Sequence, residues 1–271
     1  MMLFVVLAVT STMRRLWGRT LIAAWLVVIP IGTTLMYGAL PLGFVTIPIP
    51  GLSIVETRLW GGLPLTIGLS TIALATAFPI SILLALGRCS NMPMIRAACI
   101  TYIELVRGVP LITVLFLASV LFPLFLPEGW NFDYLLRAQI ALSLFTAAYL
   151  AEVVRGGIQA IPQGQYEAAD SMGLGYWQKQ RFVVLPQALT ISIPALVNTF
   201  IGCFMDTTLV IMIGLFDVLG AARLGLADAI WGPFYREAYI FVSLLFFILC
   251  FCMSKYAQTL EVQLLSEKKN R

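Results

Sequence analysis

Glu104, Arg107, Glu152 and Asp206 stand within or at the edges of long apolar stretches. A charge in such a place costs at least ~2.5 kcal/mol unless it meets a partner or water. Glu104 and Arg107 are three residues apart, as are Glu152 and Arg155, so each pair shares a helix face. Two readings follow: the charges pair with one another, or they face a water-filled cavity. Asp206 has no cation near it in sequence, Thr207 and Thr208 beside it carry hydroxyl donors, and it sits well inside its apolar segment. That placement favours a cavity over a snorkelling charge.

Other chemistry is excluded by what is missing. None of the 271 residues is histidine, which removes His-based metal sites and general bases and makes hydrolysis within a membrane an unfavoured reading. The five cysteines, Cys89, Cys99, Cys203, Cys250 and Cys252, have neither metal-knuckle nor redox spacing and read as small core residues. No Gly-x-x-x-x-Gly-Lys-Ser/Thr loop occurs, so the chain is expected to bind no cofactor and to hydrolyse no ATP itself.

The elements that must position these charges are membrane helices. The chain is 60% hydrophobic and only 11% charged, with a mean hydropathy of +0.95. A span needs roughly 20 mostly apolar residues. The expectation is an all-α, polytopic integral membrane protein with six spans, over about 21–40, 63–86, 97–126, 138–154, 191–215 and 238–253. The third contains Gly108 and Pro110 and is expected to tilt or break near its start. Residues 1–20 form a short apolar and basic segment, 21–59 the first span with an extended, proline-containing linker, 60–254 the main transmembrane domain, and 255–271 a tail. The net charge of +4 is dispersed, so no basic surface supports nucleic-acid binding. With the N-terminus inside, twelve Lys and Arg residues fall on the cytoplasmic side and four outside. Both termini are then cytoplasmic.

The same count makes the polar loop of about 155–190, between the fourth and fifth spans, cytoplasmic. Pro162 and the following GQYEAADSM suit a short helix, Gly173 and Gly175 a bend, and YWQKQRFVVL a second helix interrupted by Pro186. Ala168 and Ala169 give the first helix a smooth side that fits a groove in another protein.

EAADSMGLGYWQKQRFVVLP resembles the EAA loop of ABC importer permeases: Glu-Ala-Ala, three residues, Gly, nine residues, an aliphatic, one residue, Leu-Pro, with Val183 where isoleucine is usual. Trp60-Gly61-Gly62 with Leu65-Thr66, Glu104-Leu105-Val106-Arg107-Gly108-Val109-Pro110-Leu111, Tyr149 to Gly157, Leu185-Pro186-Gln187-Ala188, and Asn198 with Asp206-Thr207-Thr208-Leu209 are similar to permeases for polar and general L-amino acids. The resemblance runs from about Trp60 to the C-terminus. Met205 departs from it, standing where relatives usually carry lysine.

The resemblance implies a bacterial inner-membrane permease subunit of an ATP-driven amino-acid importer. Its implied partners are two cytoplasmic ATPase copies holding ATP and Mg, a second permease, identical or related, and an extracytoplasmic binding protein. Glu167, Ala168, Ala169 and Gly173 would couple to the ATPase. Glu104, Arg107, Asp206, Thr207 and Thr208 would line the substrate path, with Arg107 and Glu104 meeting the carboxylate and ammonium of an amino acid. The alternatives are a permease for another small polar solute, which shares the EAA loop, and a secondary transporter, which needs no docking loop.

Overall fold

A computed structural model describes residues 39–42, 45–48, 60–125, 127 and 132–269. The N-terminal segment and all but the last two residues of the expected first span lie outside the described residues. Those two residues are strand: β1 (Ala39–Leu42) pairs antiparallel with β2 (Val45–Pro48), Ala39 opposite Pro48. The β-branched Val45, Thr46 and Ile47 favour extended backbone, and Pro48 falls at the strand end where its missing N–H interrupts nothing.

Among the described residues after 60 the regular elements are helices joined by short turns. Helix α1 (Gly62–Arg88) accommodates Pro79 in its interior. Helix α2 (Pro93–Arg107) and α3 (Leu111–Phe116, continued by a π turn and a 3-10 turn to Phe125) meet at a bend of 101°. Pro110 enforces that break, because it has no N–H to extend α2 and it pushes the preceding residue towards extended backbone. The third expected span is therefore a bent pair. Helix α4 (Tyr134–Gln159) follows, then the short α5 (Gln163–Ser171) and α6 (Tyr176–Lys179).

The fifth span differs from expectation. Pro186 does not interrupt it: α6, a π turn at Gln180–Val184, α7 (Leu185–Asp206) and a 3-10 turn to Ile213 run as one 38-residue rod. In the π turn the Leu185 N–H reaches back to the Gln180 carbonyl, an i→i−5 bond that changes the hydrogen-bond register just where the proline would break it. Helices α8 (Val218–Leu226) and α9 (Tyr235–Lys269) complete the chain. Four helices of the described residues are long and apolar enough to cross a membrane, five if the bent pair counts as one.

Helix α4 is central, packed along α1 on one side and α7 on the other. The buried layer is rich in alanine, with Ala77 and Ala85 on α1, Ala147 on α4 and Ala188 on α7. Small residues let membrane helices approach closely, which is where packing energy is found when lipid is as apolar as the core. At Gly157 on α4 a Cβ would overlap the Ala188 carbonyl and the Ser192 hydroxyl of α7, and that hydroxyl donates to the Val153 carbonyl at 3.1 Å.

The far ends of α1 and α8 are clasped. Gly62 N–H donates to the Phe216 carbonyl at 2.9 Å and Val218 N–H to Thr66 Oγ1 at 3.2 Å. Asp217 caps α8 by accepting from Gly220 N–H at 2.9 Å. Its side chain is buried, and Oδ2 has no hydrogen-bond partner among the described residues. Burial raises its carboxyl pKa above the ordinary value. The stability contributed by this group is therefore full at acid pH and lost as pH rises through its raised native pKa. Asparagine caps as well without the charge. Asp217→Asn is expected to raise the melting temperature of the detergent-solubilised protein at neutral pH, with the gain shrinking as pH falls, whereas Asp217→Ala costs about 1 kcal/mol of capping.

Candidate functional site

Where the α2–α3 break faces α4 and α7 there is a cavity of about 770 Å³. Gly108, Val109 and Pro110 of the break line it, in keeping with the rule that non-helical backbone at membrane depth borders a cavity or buried protein. Its polar side chains are Arg107, Thr146, Tyr149, Asn198, Thr199 and Asp206. The two full charges come from different helices: Arg107 ends α2 and Asp206 ends α7. Arg107 lies 5.4 Å from the Tyr149 ring centroid, a cation–π distance. Tyr149 is in turn packed on Phe145 at 4.9 Å. Asp206 makes no ion pair or side-chain hydrogen bond among the described residues, so its carboxylate remains available inside the cavity.

The other expected path residues sit elsewhere. Thr207 is buried and donates to the Phe204 carbonyl at 2.7 Å, and Thr208 donates to the Met205 carbonyl at 2.9 Å. Neither lines the cavity. Such back-bonding satisfies a hydroxyl within its own helix. Met205 is also absent from the lining and is exposed, so the departure from the family pattern falls outside this cavity.

Glu104 and Arg107 do not pair. Glu104 accepts from Arg88 at 2.8 Å, while Glu152 forms an ion pair with Arg88 at 2.9 Å, accepts from Arg155 Nε at 3.0 Å and lies 3.8 Å from Arg107. The neighbouring Glu152–Arg155 pair is therefore present, but within a network of five charges held by α1, α2 and α4. Glu152 is only 15% exposed, and three guanidinium groups around it supply the compensation that a half-buried carboxylate requires. Arg88 was invisible as a partner because it is distant in sequence. Thr146, Tyr149, Thr199 and Asn198 were missed as lining residues, although the spacing of Thr199, Gly202 and Asp206 marks one face of α7.

On the polar loop, α5 ends in a Schellman turn: Gly173 N–H bonds the Asp170 carbonyl at 2.9 Å and Leu174 N–H the Ala169 carbonyl at 3.2 Å. Gly173 carries φ of +73°, a left-handed conformation that costs other residues about 1–2 kcal/mol. Asp170 pairs with Lys179 at 2.5 Å and Gln165 with Gln187 at 3.0 Å, bracing α5 against the rod that leads into α7. Ala169 packs inward, while Gly164, Glu167, Ala168 and Ser171 are exposed on one face. Met172 and Trp177, 80% and 67% exposed, extend that surface with apolar groups. The free cysteines divide: Cys203 is buried as expected, but Cys89 and Cys252 are exposed.

Residues 77–261 match the family model for binding-protein-dependent transport system inner membrane components. The chain belongs to this family. Permeases of this kind are transport components of ABC systems, and the chain is a multi-pass inner-membrane protein. It is 52% identical over 241 residues, 89% of its own length, to an inner membrane amino-acid ABC transporter permease, YhdY, of Escherichia coli. It is also 52% identical over 211 residues to the glutamate/glutamine/aspartate/asparagine transport system permease BztC of Rhodobacter capsulatus, with 78% of this chain covered. The chain spans 63% and 49% of the length of these two relatives. Among solved structures, that of an amino acid ABC transporter with histidines superposes with a TM-score of 0.66 and 31% identity, covering 74% of this permease and 92% of that chain.

Proposed function

We propose that this permease forms the translocation path of an ATP-driven importer of amino acids. The observation that carries the reading is the 770 Å³ cavity bearing one cation, Arg107, and one carboxylate, Asp206, that has no ion-pair partner among the described residues. A zwitterion presents the complementary pair: its carboxylate meets Arg107 in a geometry that suits a guanidinium fork, and its ammonium meets Asp206. Tyr149, Asn198 and Thr199 supply neutral hydrogen bonds that tolerate several side chains. The amino-acid permeases to which the chain is similar support this solute class.

Energy enters from the cytoplasmic ends. The exposed face of α5, with Glu167 and Ala168, docks on an ATPase subunit that holds ATP and Mg, and Gly173 shapes the turn behind it. Because the Asp170–Lys179 and Gln165–Gln187 contacts fasten α5 to the α7 rod, a push on α5 moves Asp206 at the other end of that rod as a rigid body. A second permease, identical or related, and an extracytoplasmic binding protein complete the assembly.

The assembly reconstituted in proteoliposomes tests the reading. Loaded binding protein is expected to stimulate ATP hydrolysis with polar amino acids and not with sugars. Ala168→Arg, a change on an exposed position that leaves the fold undisturbed, is expected to reduce stimulation roughly 30-fold, the effect of losing a docking hot spot worth about 2 kcal/mol. Uptake that ignores ATP and collapses with an ion gradient would instead identify a secondary transporter.

A further inference from the structure

A second cavity, of about 380 Å³, shares no lining residue with the first. It lies at the end of α1 that the charge count assigns to the cytoplasm. Arg88, Ser90 and Asn91 at and after the end of α1, Arg96 in the first turns of α2, and Arg155 and Gln159 near the end of α4 form its wall. Three guanidinium groups from three segments converge there, and no carboxylate lines it. Glu152 and Glu104 stand outside that lining and hold Arg88 and Arg155 in position. Arg88 makes both ion pairs through Nη1, and Arg155 uses Nε and Nη2. Among the described residues the remaining N–H groups of both make no hydrogen bond, and Arg96 has no ion-pair partner.

Anchored guanidinium groups with donors to spare, and no carboxylate in the lining, fit an oxyanion, and the planar fork matches phosphate. Next to the cavity, Met92, Met94 and Ile95 at the start of α2 are 61%, 85% and 46% exposed. Apolar side chains beside a basic pocket let acyl chains and an anionic headgroup bind side by side. The geometry points to a binding site for a phosphate-bearing anion, and the phosphodiester headgroup of an anionic phospholipid is the occupant that the apolar rim fits.

Cys89 lines the same cavity and is exposed, so its alkylation reports occupancy. The full chain with its partner subunits is placed in nanodiscs of phosphatidylcholine, with or without phosphatidylglycerol. A neutral maleimide is added, and labelling is read by mass spectrometry of the Cys89 peptide. Phosphatidylglycerol is expected to slow labelling about fivefold in the native chain and not in Arg96→Ala, the effect of about one surface cation on anionic-lipid binding. Inorganic phosphate added to phosphatidylcholine nanodiscs is the third arm: equal protection there supports the site and assigns it to a soluble phosphate. Equal slowing by phosphatidylglycerol in both chains reflects surface potential acting on the thiolate and overturns the proposal, as does absence of protection in every arm. Arg96 is exposed and makes no ion pair among the described residues, so the variant is expected to elute as the intact assembly.

Discussion

Asp206→Asn is expected to lower the apparent affinity of the proposed importer for an amino acid by roughly 30- to 1,000-fold, about 2–4 kcal/mol, while the subunits still assemble. The size follows from where the carboxylate sits. It terminates α7 at the cavity and makes no ion pair among the described residues, so its charge is available to the proposed solute's ammonium in a setting that water screens poorly. Asparagine keeps the shape and removes the charge. The variant therefore separates electrostatics from packing, and Asp206→Glu, which restores the charge one methylene further out, is expected to recover part of the loss. Concentration-dependent uptake in proteoliposomes measures the effect, and size-exclusion elution shows that the assembly is intact. Uptake unchanged in Asp206→Asn, with normal ATPase stimulation, would remove Asp206 from the path.

Gly157→Leu is expected to abolish assembly, and Gly157→Ala to cost about 1–3 kcal/mol or more. The Cβ of any residue at this position meets the Ala188 carbonyl, a backbone group that cannot rotate aside, so α4 and α7 must separate. That separation would also break the bond from the Ser192 hydroxyl to the Val153 carbonyl and loosen the layer built from Ala147, Val154 and Ala188. The adjacent Gly156 is the control. A Cβ there meets nothing within 4 Å, and Gly156→Ala is expected to be neutral or to stabilise by about 0.5–1 kcal/mol through helix propensity. Thermal unfolding of the detergent-solubilised chain distinguishes the two positions. Equal behaviour of Gly156→Ala and Gly157→Ala would refute the close contact.

Much of the architecture was legible because it depends on properties that run along the chain. Spans follow from the transfer energy of some 20 consecutive residues, so α1, α4 and α9 fall where hydropathy places them. Local stereochemistry was legible for the same reason. Pro110 breaks the third span and Gly173 ends α5, each by a constraint confined to a few residues. Pro186 is the exception. Read alone it interrupts a helix, yet the π turn immediately before it keeps the rod whole, and that turn has no signature in a list of propensities.

The polar loop and the charges divide along the same line. Sequence alone determined a helix, a glycine turn and a second helix on a polar loop, with small residues on one face, because capping, φ and helical spacing act over fewer than about ten residues. It also determined that Glu104, Arg107, Glu152 and Asp206 needed partners or water, since the cost of burying charge is a property of each residue. Which partners they have was decided by the tertiary structure. The 101° bend after α2 places Arg107 at the cavity and Glu104 against Arg88, and the approach of α1 to α4 brings Arg88 to Glu152. Coulomb energy depends on separation in space, and no separation along the chain could have shown that Arg107 and Asp206 would line one cavity while Thr207, next to Asp206, is turned into the core.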